Sequence, residues 1–178
     1  MSRIALLGAA ALLAACSSGT GHMKSDWERL NEGRLARDES GSGSPVENLP
    51  PFPRPANLAE FFVGGASDFR FFVDRTSLSV SKERIVRYVL VARSPSGVDN
   101  VTYEGINCRE AEYRIYAVGR GDGTWASRPG EWRPIARENV QRWHSALRDE
   151  YFCPSGIAIE SAADGVRALQ RGGQQSIR

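Results

Sequence analysis

The sequence predicts an α+β fold, a single small domain in which a mainly antiparallel sheet is covered by a C-terminal helix. Three observations predict it. Residues 85–93 (IVRYVLVAR) alternate, so that Val86, Tyr88, Leu90 and Ala92 share one wholly apolar side while Ile85, Arg87, Val89, Val91 and Arg93 make a mixed one. Ser94-Pro95-Ser96-Gly97 then supplies a turn into a second strand-like run, 101–108. Finally, Val140, Trp143, Leu147 and Tyr151 form one apolar stripe with the period of a helix over 139–152.

The remaining elements follow in chain order. LAEFFV (58–63) opens the folded part, and FRFFVD (69–74) reads as its first sure strand. Asp74 and Ser77 bracket an Asx-type turn, after which Leu78 and Val80 lead into another short strand. Past Gly105 the apolar parity flips from Val101 and Tyr103 to Ile106 and Cys108, which predicts a β-bulge or bend at Gly105. YRIYAV (113–118) puts Tyr113, Ile115 and Ala117 on one face. Trp125 and Trp132, flanking Arg128-Pro129-Gly130, suggest a small hairpin. Asn139 is placed to cap the main helix, which Pro154 stops, and a shorter helix runs from Ser161, with Asp164 as its capping partner, to Leu169. Residues 172–178 form a disordered tail.

The 178 residues leave room for one domain, and a net charge of +2 gives no field strong enough to imply nucleic acid. Lys24 and Lys82 are the only lysines, so the surface is rich in arginine, suited to carboxylate or phosphate contacts. At the N-terminus Arg3 precedes an unbroken run of apolar and small residues, 4–15, too short to span a bilayer but right for a signal-peptide core. The run ends in Leu13-Ala14-Ala15-Cys16, which looks like the lipobox of bacterial lipoproteins. That resemblance implies a signal peptide over 1–15, a diacylglycerol on Cys16 Sγ and acylation of the new amine. Several acyl chains anchor far more firmly than one. Ser17, where retained lipoproteins usually carry Asp, implies sorting to the outer membrane. Residues 16–57, rich in Gly, Ser, Pro and charge, read as a flexible tether, in which Pro50-Pro51-Phe52-Pro53 is a spacer. The domain itself is expected over 58–171.

Cys16 aside, Cys108 and Cys153 remain. An even pair in an oxidising compartment suggests a disulfide; two buried free thiols are the competing reading. Zinc is disfavoured, because no His stands at ligand spacing.

Taken together and in order, FFVD-x-x-SLSV, VRYVLVARS, NVTYEGI-x-C, YAVG-x-x-DG-x-W and YFC resemble the CNP-one-like family of proteobacterial lipoproteins, over about residues 69–153. The resemblance implies a fold and a location and lends no catalytic residue. The VD-x-x-SL start and the two late cysteines are also similar in layout to surface-adhesin-E-like proteins, small lipoproteins with a sheet and a helix tied by a disulfide.

Motifs for chemistry are sparse. The histidines are His22 in the tether and His144 on the helix, and Ser145 lies in no nucleophile elbow. Asp74, Glu104, Glu110 and Glu112 offer carboxylates, but such acids are common at strand edges and turns. No phosphate loop, metal-ligand spacing or dinucleotide fingerprint occurs, and no cofactor is expected. Arg120-Gly121-Asp122 spells an integrin-binding tripeptide that a glycine-rich turn explains. The expectation is a non-enzymatic outer-membrane lipoprotein, facing the periplasm, that binds an envelope protein or peptidoglycan. A surface-exposed adhesin is the first alternative. The second is an envelope hydrolase using Asp74, Glu104 or His144.

Overall fold

A computed structural model describes residues 48–64, 67–127, 130–136 and 142–172. Its centre is an antiparallel sheet of β1 (Leu58–Phe61), β2 (Arg70–Val80), β3 (Ile85–Arg93), β4 (Asp99–Asn107), β5 (Glu112–Gly119), β6 (Trp125–Ser127) and β7 (Arg133–Pro134). The strands stand in sequence order, β1-β2-β3-β4-β5-β6, and β7 also pairs with β5. Such a meander needs only short connections between neighbours. Two helices follow: α1 (Arg142–Ala146), continued by a π-helical turn (Leu147–Phe152), and α2 (Ala162–Gln170). The α+β fold expected from the sequence is the one observed.

Strand β3 lies at the middle, and both its faces are covered. Val86, Tyr88, Leu90 and Ala92 join Phe61, Phe71, Val73 and Ile106 under Trp143, Leu147, Tyr151 and Phe152 of the helical layer. On the other side Val89 and Val91, 0% and 1% exposed, join Phe72, Val101, Tyr103, Tyr116 and Ala117. This second cluster is closed by Leu49, Phe52, Leu58 and Trp125. Phe52 lies 5.2 Å from the Trp125 ring, whose Nε1–H donates to the Pro50 carbonyl at 2.8 Å. The proline segment is therefore part of the folded unit, and the boundary expected at residue 57 lies too far along the chain. The proline spacing that looked like a spacer pre-sets an extended strap, and Phe52 gives that strap an apolar foot.

Three expected details differ. First, β2 is one strand across 70–80: its register with β3 shifts between Asp74 and Ser79, so the extra residues bulge without ending it. Asp74 Oδ1 accepts from the Thr76 amide at 2.9 Å and Ser77 Oγ donates to the Asp74 carbonyl, so the Asx feature exists inside the strand. Second, β3 and β4 stay in register through Gly105, and the bulge falls on β5, where Tyr116 is the extra residue opposite Tyr103 and Glu104. Ala117 consequently turns to the second cluster while Tyr113 packs in the first. Third, β6 and β7 do not form a hairpin with each other; both run along β5 as pieces of one interrupted edge strand, bridged by the Gly130 amide donating to Ile115 O.

The main helix carries the expected Trp143, Leu147 and Tyr151 on its buried side. Its expected cap Asn139 and first stripe residue Val140 lie outside the described residues, as do the signal peptide, Cys16, residues 16–47 of the tether and 173–178 of the tail. From Leu147 the helix widens, and the Cys153 amide bonds five residues back to Arg148 O at 2.9 Å. A wider turn brings position i+5 back toward the line of i, so Phe152 reaches the core beside Leu147 and packs 5.3 Å from Tyr88. In α2, Ser161 and Asp164 exchange the two bonds of a capping box, as the sequence predicts.

Candidate functional site

Four polar side chains meet beneath the main helix. On β4, Thr102 and Glu104 occupy core-facing positions, paired across β3 with Leu90 and Tyr88. Glu104 Oε1 accepts from the Thr102 hydroxyl at 2.7 Å, and Oε2 accepts from the Tyr88 hydroxyl at 3.0 Å. The helix brings His144 Nε2 to 2.8 Å from the same Oε2. All four residues are at most 1% exposed. The His144 ring stacks on Tyr113 at 3.7 Å. A buried carboxylate is tolerated where several donors surround it, and this one has them. Burial first, and the Glu104 charge second, push the Tyr88 phenol well above its ordinary range.

A histidine held by a carboxylate is half of a catalytic triad, which also needs a nucleophile at an open cleft. Here the ring is enclosed between Tyr113, Trp143 and the sheet. Ser145, the adjacent hydroxyl, points elsewhere and donates to Arg142 O. Of the three residues named for hydrolysis, the fold joins Glu104 to His144. Asp74 is left in the β2 bulge, engaged by Thr76. Glu110 is an exposed partner of Arg109, and Glu112 pairs with Pro134 at the sheet edge. What the cluster does in this geometry is fasten the helix to the middle of the sheet.

A second fastening is covalent. Cys108, just past β4, and Cys153, just past the π-helical turn, form a disulfide with their Cα atoms 5.5 Å apart. Both are 2% exposed. Arg120-Gly121-Asp122 lies in the β5–β6 turn, where Gly123 takes a positive φ and Asp122 accepts from the Thr124 amide and hydroxyl. Those bonds to its own turn also hold the Asp122 carboxyl below its ordinary range. Among the described residues there is no cluster of three or more His, Cys, Asp or Glu able to hold a metal, and no helix long and apolar enough to cross a membrane.

The sequence named Glu104 and His144 separately and missed their partners Tyr88 and Thr102. The signal was present. Unbroken alternation along β4 puts Thr102, Glu104, Ile106 and Cys108 on one side, so the apparent parity flip at Gly105 marks polar residues turned inward.

These same strands carry the comparison with known proteins. A family model described as the CNP1-like family matches residues 43–170. The chain belongs to the CNP1-like family. The match spans the strap, the whole sheet, both bonded cysteines and the buried Glu104–His144 pair. Among curated proteins the chain is similar to Cryptic neisserial protein 1 of Neisseria gonorrhoeae, 25% identical over 146 residues, 71% of this chain and 70% of that protein. No solved structure matches.

Proposed function

We propose that this CNP1-like chain is a non-enzymatic lipoprotein of the outer membrane, anchored through Cys16, whose domain faces the periplasm and binds another envelope component, a protein or peptidoglycan. The observation that carries the reading is the Cys108–Cys153 bond. Disulfides persist in oxidising compartments, and this one uses the two cysteines that a lipobox at Cys16 leaves over. The enclosure of the Glu104–His144 pair supports a binding role over a hydrolytic one.

The experiment is acyl labelling with membrane fractionation. Wild-type protein should take up a palmitate analogue and sediment with outer membranes, and Cys16→Ser should lose the label. Label retained on the variant contradicts the anchor. Ser17→Asp should shift the protein toward the inner membrane. Protease added to intact cells should leave the domain uncut, whereas cleavage would favour the surface-exposed adhesin.

A further inference from the structure

Among the described residues, the sheet's second face carries four arginines of two kinds. Arg70 places its Nε and Nη2 on the two oxygens of Glu60, and Arg93 does the same with Asp99. Both also stand over the Phe72 ring. Their charges are matched locally. Arg87 and Arg114 are different: neither forms a salt bridge with a carboxylate among the described residues. Arg114 donates its Nε to Gly130 O, while the buried Nε of Arg87 has no acceptor there. Glu83 in the β2–β3 turn, which is fully exposed, feels the Arg87 charge.

Geometry brings these two arginines together. Arg87 on β3, Gly105 on β4 and Arg114 on β5 form one row across the face. The Tyr116 ring, re-aimed by the bulge, lies over Gly105, where an added Cβ would stand 2.8 Å from Tyr116 Oη. The guanidinium carbons of Arg87 and Arg114 lie 5.4 and 5.5 Å from the centre of that ring. The Tyr116 hydroxyl hydrogen-bonds to no described group. Two cations drawn to one ring repel each other, and an unbonded buried Nε is costly. An oxyanion held by their outer nitrogens relieves the repulsion, because guanidinium groups match carboxylate and phosphate.

We propose that Arg87, Arg114 and the Tyr116 hydroxyl form a binding site for one oxyanion, a phosphate or a carboxylate. The site gives the envelope-binding reading a place on the molecule, and it rests on that reading only for the source of the oxyanion. Glycine at 105 is required because any side chain there would displace the ring between the two cations.

The test is an NMR titration of the full chain in maltoside micelles with inorganic phosphate and, separately, acetate, at ionic strength held constant with chloride. The site predicts saturable shifts at the Arg87 and Arg114 Nε–H signals and the Gly105 amide with at least one probe. Arg87→Gln with Arg114→Gln should weaken binding about tenfold or more, and Tyr116→Phe severalfold, while Arg70→Gln with Arg93→Gln leaves it within about twofold. The stronger probe identifies the class, phosphate or carboxylate. Non-saturating shifts with both probes in the wild type, or equal weakening by the Arg70 and Arg93 variant, overturn the site. Because the titration does not depend on the anchor, its failure is distinct from a failure of acyl labelling at Cys16.

Discussion

Glu104 is the residue on which the interior turns, since three side chains from β3, β4 and the helix converge on its carboxylate. Glu104→Leu should therefore be among the most damaging substitutions, costing about 3–5 kcal/mol in urea unfolding, because it strands the buried donors it leaves behind. Tyr88→Phe removes one hydrogen bond to a charged group and should cost about 1.5–3 kcal/mol. It should also change the alkaline limb of stability. The Tyr88 phenol is held neutral in the folded state, its pKa raised well above the ordinary 10.0. Its contribution is complete below that ordinary value and is lost as pH rises toward the folded pKa, because the unfolded chain ionises first. The wild-type urea midpoint should fall between about pH 9 and 11, and that of Tyr88→Phe should fall less. This cluster was only half legible in the sequence. Polar residues at core-facing strand positions look like a register change, and pairing across strands is invisible until the register is known.

At the scale of elements, legibility followed regularity. The β3 strand and the α2 capping box were readable because each obeys a local rule, alternation in one case and a four-residue motif in the other. The β5 bulge, the broken β6–β7 edge and the π-helical turn were not, because each departs from the period used to find it. Two element-level outcomes follow. Leu147→Ala, at the start of the π-helical turn and 0% exposed, should cost about 2–5 kcal/mol. Reduction of Cys108–Cys153, which closes a separation of 45 residues, should lower stability by about 2–4 kcal/mol. Far-UV circular dichroism of the reduced protein should remain native-like, since Trp143, Leu147 and Tyr151 hold the helix on the sheet independently of the bond. Loss of that spectrum on reduction would assign the helix placement to the disulfide alone. In acid, α2 should fray as pH falls below the ordinary Asp range. Its Asp164 carboxyl is depressed first by the Ser161 hydroxyl and then by Arg167, so the contribution is present above the unfolded pKa and lost below it.

For the molecule as a whole, the strap of residues 48–57 matters because it turns a one-faced sheet into a two-faced one, with Phe52 against Trp125. Sequence composition placed that strap with the tether, since prolines serve a linker and a packed extended segment equally well. Phe52→Ala should shift tryptophan emission to the red by wetting Trp125, and an unchanged spectrum would mean the strap does not seal this face. We propose that the domain is an oxidised module held to the envelope by lipid on Cys16. Intact-mass analysis of protein extracted from cell membranes, denatured and then alkylated without reduction, decides it, since both bonded cysteines are buried in the native fold. The predicted species begins at Cys16, carries acyl chains there and takes up no alkyl group at Cys108 or Cys153. A chain that begins elsewhere without lipid, with both cysteines alkylated, would contradict it.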